Sequence, residues 1–510
     1  MHILHNVLFG FGHAVTWTNL SYCAIGCTIG TLIGLLPGLG PLATISLLLP
    51  LTYSLPADAG IIMLAGIYYG AQYGENVSAI TMKIPHASSI VACIDGYAMT
   101  LKGKAGLALL TAGVSSFIGG TIATIVIATL APWLAQIAFM FSPADYCALI
   151  LLGFASVSYV SSSGGIVAGF AMALVGALLG SIGTDFATGV TRFTFGHLSL
   201  VDGVTLVSLA LGCFGISEIT RNLDRDNTFT PFSGKIDMRV NKQDMKRILP
   251  SSLRGSAIGS ALGLLPGGGP AISQFGAYAV EKKVSKYRRE IGDGAIEGVA
   301  GQAAANEAAS RTSFIPLLSV GIPENPTMAL MMSAFIMKGI QPGPVMLTQH
   351  PHTFWGLVAS MWIGNCFLLF LNVPLVKQLL SVLRVPYAVL FPAILLFCCI
   401  GAFSVHSNVD DIYVMAGFGL LGYACKCLQL DVPPLMLGFI LGPMLEENFR
   451  RATTLSHGSF MVFVERPISA ALLGIIALLL CWNFLRFMRR VQHGRKPTSA
   501  ASHREESAAN

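Results

Sequence analysis

The chain runs through long apolar stretches joined by short polar segments, and the stretches are too long for the strands or half-buried helices of a water-soluble domain. Lys, Arg, Asp and Glu are absent from Met1–Ala57, Ala105–Ala144, Tyr146–Thr184, Gly255–Val280, Gly339–Val376 and Pro467–Leu485. A hydrocarbon core about 30 Å thick takes about 20 helical residues. Each stretch is therefore long enough to span, and the longer ones predict two spans each, with breaks at Pro132 and at Gly164-Gly165. The period-two alternation of an outer-membrane barrel does not run through them. The expected fold class is an all-α integral membrane protein with about 10 to 12 transmembrane helices.

Composition agrees. Of 510 residues, 54% are hydrophobic and 11% charged, against about 25% charged in a soluble domain, which excludes a soluble globular enzyme because too few polar groups remain to cover its surface. Eleven cysteines form no disulfide framework: Cys23, Cys147, Cys366, Cys398, Cys399 and Cys481 sit in apolar runs as small hydrophobes. Cys425-Lys-Cys427 lacks a second ligand pair, which favours packed thiols over zinc. The first 27 residues lack a basic start and are expected to be retained.

The net charge of +6 gives orientation through the excess of Lys and Arg on cytoplasmic segments. The tail from Arg486 carries six basic residues against Glu505 and Glu506, which assigns that end to the cytoplasm. Glu218–Arg254 holds eight basic and five acidic residues and reads as an extramembrane linker. Glu281–Glu297 includes Lys282, Lys283, Lys286, Arg288 and Arg289. Beside apolar spans, both segments read as topogenic charge rather than a nucleic-acid surface. The expected layout is an N-terminal membrane repeat over 1–217, a polar linker over 218–254, a C-terminal membrane repeat over 255–485 and a basic tail over 486–510.

The repeat is read directly. Gly34-Leu-Leu-Pro-Gly-Leu-Gly-Pro41 recurs 229 residues later as Gly263-Leu-Leu-Pro-Gly-Gly-Gly-Pro270. Polar segments follow both copies, Tyr69–Ser78 and Asn306–Ser313, then the steps Ile84-Pro85 and Ile322-Pro323, then Lys102-Gly103 and Lys338-Gly339. A single Pro-Gly motif is ordinarily a kink in a membrane helix. Two prolines flanking two or three glycines release more backbone donors and acceptors than a helix can satisfy, and paired interruptions at matching positions are the best sequence pointer to a transporter's binding site. Two pseudo-symmetric, inverted repeats with broken or re-entrant helices are therefore expected.

Pro41 and Pro270 suit the first position of a new helix, whose free N–H groups and positive dipole end attract anions. Two such ends meeting near the membrane centre suit a ligand with two or more carboxylates. The candidate substrate-binding residues are Gly38, Leu39, Gly40, Gly267, Gly268 and Gly269 at the breaks, Thr44 and Ser273 on the helices that follow, and Asn76, Ser78, Asn306, Ser310, Arg311 and Ser313 as polar lining. Arg311 admits two readings: a helical salt bridge with Glu307 at i,i+4, or bidentate binding of a substrate carboxylate. Asp95 admits three: a proton carrier, an ion pair with Lys83 or Lys102, or a helix cap.

These residues resemble the large membrane subunit of the tripartite tricarboxylate transporters over roughly residues 15 to 470. The resemblance includes both Gly-Leu-Leu-Pro-Gly motifs, Ile94-Asp-Gly-Tyr97 with Lys102-Gly-Lys-Ala-Gly106, Arg192-Phe-Thr-Phe-Gly196, Gly294-Ala-Ile-Glu-Gly-Val-Ala-Gly301, Ser313-Phe-Ile-Pro-Leu-Leu318 and Gly339-Ile-Gln-Pro-Gly-Pro344. It implies a multi-pass permease of the bacterial inner membrane, working with a small four-span membrane subunit and an extracytoplasmic solute-binding protein. It also implies carboxylate uptake, tri- or dicarboxylate, driven by H⁺ or Na⁺, with no cofactor and no catalysis. No phosphate-loop motif for ATP is present. Glu75, Arg311 and Thr312 stand where the family usually has small glycines, and His86 and Glu324 stand where Ile-Pro-Gly is usual. Ionisable groups at membrane depth are functional candidates by default. The competing readings are a different small solute on the same fold, a membrane-embedded enzyme and a passive channel. Against the enzyme, no His-Glu-x-x-His motif occurs.

Overall fold

The computed structural model describes residues 2–36, 40–160, 165–185, 187–217, 220, 238, 240–265, 267, 269–382 and 387–492. Two compact units emerge: one of residues up to Met140 together with Ser156–Met444, the other of Phe141–Ala155 together with the residues from Leu445 onward.

The chain is built from helices: α1 His2–Ala14, α2 Trp17–Gly34, α3 Pro41–Leu48, α4 Ala57–Met82, α5 Ala92–Leu101, α6 Ala105–Ala138, α7 Pro143–Val160, α8 Gly165–Gly180, α9 Leu206–Ala210, α10 Lys242–Leu262, α11 Gly269–Val284, α12 Ile296–Thr312, α13 Phe314–Ser319, α14 Pro326–Met337, α15 Pro351–Asn372, α16 Val376–Val382, α17 Tyr387–His406, α18 Asp410–Cys427, α19 Val432–Leu455 and α20 Pro467–Gln492. Among the described residues, strand is confined to Gly183–Thr184 paired antiparallel with Thr191–Arg192. Local signals set several boundaries. Pro41 and Pro326 start their helices at the first turn, where a missing N–H costs nothing. Asn325 caps α14 by accepting from the Met328 amide at 2.9 Å, and Asn241 with Asp244 forms a capping box at the start of α10. Helix α10 runs through Arg254 into the charge-free stretch, and its Arg247 and Arg254 pair with Glu297 and Glu281 on neighbouring helices, at 2.7 and 2.8 Å.

Many large apolar side chains face outward, and several ionisable ones are buried beside an apolar core. Leu178, Phe370 and Leu420 are 62%, 58% and 75% exposed, whereas Glu75 and Arg311 are fully buried. Water would favour the reverse; a bilayer accepts large apolar side chains at the periphery, so this is an all-α, multi-pass membrane protein. Ala105–Ala138 and Pro351–Asn372 are long and apolar enough to cross unaided, and shorter apolar helices accompany them.

One expectation is corrected. Pro132 does not break the Ala105–Ala144 stretch: α6 continues through it to Ala138. A proline removes one helical hydrogen bond, here the one to the Ala128 carbonyl, a loss that a packed membrane helix can carry; Ser319 of α13 packs on this turn, its hydroxyl donating to the Ala131 carbonyl at 2.9 Å. Near Gly164-Gly165, helix α7 ends at Val160 and α8 begins at Gly165, whose φ is +75°.

Two helix pairs form the frame of the first unit, and both rest on glycines spaced by four. A Cβ on Gly26, Gly30 or Gly34 of α2 would lie 2.2–2.3 Å from the carbonyl oxygens of Met63, Ile67 and Ala71 on α4. On α10 and at its C-cap, a Cβ on Gly255, Gly259 or Gly263 would lie 2.2–2.6 Å from those of Gly301, Ala305 and Ala309 on α12. Only glycine permits backbones this close. The two glycine triads are 229 residues apart, the same offset as the octapeptides, and the carbonyls they meet are 238 apart, the same offset as the Ile-Pro steps.

Candidate functional site

After the glycine stripe of α2 the chain turns at Leu35 and Leu36, and the site candidates Gly38 and Leu39 lie outside the described residues. Gly40 is extended, with φ −71° and ψ 173°, and precedes α3. The Thr44 hydroxyl donates to its carbonyl at 3.0 Å. A Cβ on Gly40 would sit 3.3 Å from Glu75 Oε1, so this break lies against α4.

At the second break Gly268 is outside the described residues. Gly267 has φ +75°, and its N–H donates to the Glu324 carbonyl at 3.2 Å. Helix α11 opens at Gly269, one residue ahead of the expected Pro270, and the Ser273 hydroxyl donates to the Gly269 carbonyl at 2.8 Å. Thr44 and Ser273 thus bond in the same way to the glycine four residues before them, which leaves their oxygen lone pairs but not their hydrogens for a ligand.

Between the breaks, α4 meets α12. The Ser310 hydroxyl donates to Gln72 Oε1 and, at 2.7 Å, to the Asn306 carbonyl. Asn76 donates to the Gln72 carbonyl at 3.3 Å. Its Oδ1, both side-chain polar atoms of Asn306 and both of Gln302 have no hydrogen-bond partner among the described residues, although all three side chains are buried. Such groups cost about 1–3 kcal/mol each if left bare, so a run of them calls for a polar partner, water or ligand.

Arg311 forms the i,i+4 ion pair, Nη2 to Glu307 at 3.0 Å, with both side chains fully buried. The same Nη2 donates to Asn365 Oδ1 on α15 at 3.1 Å, to which the Tyr73 hydroxyl also donates at 3.3 Å. The guanidinium lies 4.7 Å over the Tyr69 ring. Arg311 Nε and Nη1 have no hydrogen-bond partner among the described residues, so the ion pair leaves donors over.

Two further carboxylates flank this centre. Glu75 Oε2 accepts from the Ser88 hydroxyl, and its Oε1 is 3.5 Å from His86 Nδ1. Glu324 Oε1 accepts from the Ser313 hydroxyl and from Asn325 Nδ2 at 2.8 Å. Ser78 donates to the Glu75 carbonyl at 3.0 Å. Asp95 proves to be a cap supplied from another helix: its Oδ1 accepts from the amides of Gly292, Gly294 and Ala295 at 2.7–2.9 Å just before α12, and its Oδ2 accepts from Tyr278 at 2.8 Å.

The sequence candidates therefore fall into three groups: Gly40, Thr44 and Ser78 by Glu75; Gly267, Gly269, Ser273 and Ser313 by Glu324; and Asn76, Asn306, Ser310 and Arg311 at the crossing. Gln274 on α11 ties the helix after the second break to the segment between α4 and α5, donating to the Ala87 carbonyl at 2.8 Å and accepting from the Val91 amide at 3.3 Å, beside Ser88. Sequence reasoning missed Gln72, Gln274, Gln302 and Asn365. Asn365 had a signal, an amide within the charge-free Gly339–Val376 run; Gln274 directly follows Ser273 but points at a segment that spacing cannot name.

Residues 20–437 match the model of the tripartite tricarboxylate transporter TctA family. The chain belongs to the TctA family. It is 47% identical over 477 residues, 93% of this chain and 95% of the other, to an Agrobacterium vitis protein described as "Uncharacterized 52.8 kDa protein in TAR-I ttuC' 3'region". It is also 52% identical over 217 residues, 42% of this chain and 90% of the other, to an Agrobacterium vitis "Uncharacterized protein in TAR-II ttuC' 3'region". No solved structure matches significantly. As a TctA-family protein the chain is a transporter component rather than an enzyme, and the site above sits inside the matched region.

Proposed function

We propose that this TctA-family chain is the large subunit of a secondary active transporter that imports a small carboxylate, tri- or dicarboxylate, across the bacterial cytoplasmic membrane. An H⁺ or Na⁺ gradient drives it, an extracytoplasmic binding protein feeds it, and a small four-span membrane subunit accompanies it. The basic C-terminal tail lies in the cytoplasm. The observation that carries this reading is the buried meeting of α4 and α12, where Asn306 and Gln302 have no side-chain partners among the described residues and Arg311 has donors to spare, in a chain that exposes many large apolar side chains. A carboxylate accepts, which suits the unpartnered donors there, Arg311 Nε and Nη1 with the amide nitrogens of Asn306 and Gln302.

Two inverted repeats account for several contacts at once. Gln72 and Ser310 are 238 residues apart, the offset of the repeat, and they touch each other, as positions on a two-fold axis must. Lys102 donates to the Asp293 carbonyl in the segment before α12, while Lys338 donates to the Tyr53 and Leu55 carbonyls, at 2.9 and 2.6 Å, before α4. Each Lys-Gly step thus holds the approach to the other half's central helix. About 10 to 12 spans in this arrangement give alternating access around a fixed central site.

The test is reconstitution of the large and small subunits in liposomes with the cognate binding protein and labelled citrate, succinate or tartrate. Concentrative uptake that needs the binding protein and collapses with an ionophore is expected. Downhill flux without either would make the chain a channel, and chemical conversion of the substrate by the purified chain would make it an enzyme. Uptake of an uncharged solute in preference to all three acids would keep the fold and change the cargo.

A further inference from the structure

The two carboxylates beside the breaks occupy related places. Positions 75 and 313 are equivalent by the 238-residue offset, as are 86 and 324, and in each half the two equivalent positions are in contact: Glu75 with His86 and Ser313 with Glu324. The carboxylate stands on the helix in the first half and on the loop in the second, so each break keeps one buried acid. Both acids are fully or almost fully buried.

Their surroundings do not neutralise them with fixed charge. Helices α2, α3, α6 and α14 contain no Asp, Glu, Lys, Arg or His. On α12, Arg311 pairs with Glu307, and Glu297 pairs with Arg247. On α5, Asp95 is held by the amides before α12; on α15 the ionisable group is His352, at its first turn; and on α11 the charged groups are Glu281, paired with Arg254, and Lys282 and Lys283 in the last turn. His86 faces Glu75, and Tyr68 of α4 faces Glu324. With all acids ionised and His86 neutral, Glu75, Glu307 and Glu324 against Arg311 would leave two uncompensated negative charges around a site meant for an anion, an arrangement low-dielectric surroundings make costly.

The neighbours also decide which cation relieves it. The Ser88 hydroxyl and the Asn325 amide aim hydrogens at the carboxylates, and Ser313 shares its one hydrogen between Glu324 and the Ala309 carbonyl. A sodium ion needs lone pairs there. Glu75 Oε1 and Glu324 Oε2 accept no hydrogen bond among the described residues, which is the place for a proton.

We propose that Glu75 and Glu324 are the two proton-binding sites of the transport cycle. Each binds a proton from the face to which the site is open, and releases it on the other after the site has reoriented. The protons remove the negative charge that opposes an anionic substrate, so substrate and protons travel together, two protons per carboxylate substrate. This rests on the carboxylate reading of the central site.

Calorimetric binding of citrate, succinate and tartrate to the purified complex, in buffers of different ionisation enthalpy, counts protons taken up per ligand; the slope of log Kd against pH is an independent count. The expected slope is two for the intact complex, one for Glu75→Gln or Glu324→Gln, and zero for the double variant, with Kd rising as pH rises. Unchanged counts in the variants would overturn the assignment. So would a Kd that improves tenfold with Na⁺ at fixed pH. A third measurement needs no variant: intact complex in liposomes carrying a trapped pH dye must acidify the lumen as substrate enters, and substrate entry without acidification sinks the proposal even if both variants fail to fold. If none of the three acids binds, the carboxylate reading fails and takes this proposal with it; if they bind without protons, only the proposal fails.

Discussion

Positions 69 and 73 on α4 carry tyrosines, and the positions 238 residues further on, 307 and 311 on α12, carry a glutamate and an arginine. The four side chains share one neighbourhood: Arg311 lies over Tyr69, and Tyr73 and Arg311 both reach Asn365. The first half contributes polarizable rings with hydroxyl tips, and the second a buried ion pair. The frame is common to both, because the glycine stripes that close α2 on α4 and α10 on α12 are the same device at the same spacing. The difference teaches that backbone approach and side-chain chemistry are separable: the two helix pairs share the first and differ in the second.

The sharpest way to break that comparison is at the ion pair. Arg311→Met leaves Glu307 buried without its cation and should cost about 3–5 kcal/mol of unfolding free energy, most of it regained in the double variant with Glu307→Gln. Tyr73→Phe, the equivalent position in the first half, removes one hydrogen bond and should cost about 1 kcal/mol. Denaturation of the detergent-solubilised chain gives both values, and equal losses at 73 and 311 would erase the asymmetry.

The breaks offer a second contrast. Gly267 has a left-handed backbone, φ +75°, whereas Gly40, with φ −71°, lies in a region open to any residue. Gly267→Val should therefore strain the chain by about 1–2 kcal/mol and abolish citrate uptake while the protein still inserts. Gly40→Ala meets only Glu75 Oε1 at 3.3 Å and should lower uptake less. Normal transport by Gly267→Val would remove the second break from the site.

The smallest effect is expected at the Lys-Gly steps. Lys338 is half-buried and bonds two carbonyls, whereas Lys102 is exposed and bonds one. Lys338→Met should lower stability by about 1–2 kcal/mol and Lys102→Met by under about 1 kcal/mol, since exposed charged hydrogen bonds compete with water. Matching losses on thermal unfolding would mean that the two latches are equivalent in strength as well as in position.

Membrane residence, helical class and the doubled octapeptide were legible in the residues alone, and i,i+4 spacing offered the Glu307–Arg311 pair as one of two readings, because charge-free length, local repetition and helical spacing are properties of neighbours along the chain. Pro132 was misread for the same reason in reverse: the proline is local, but the packing that holds α6 continuous through it, Ser319 on Ala131 among it, comes from far away in sequence. Only tertiary structure decided that Asp95 caps the segment before α12 rather than pairing with Lys83 or Lys102, that Gln72 meets Ser310, and that Asn365 joins Tyr73 to Arg311. Those partners lie tens to hundreds of residues apart, so what selects them is the close approach of glycine-faced helices and the need of each buried polar group for a partner within hydrogen-bond reach. Neither condition is written in any single segment.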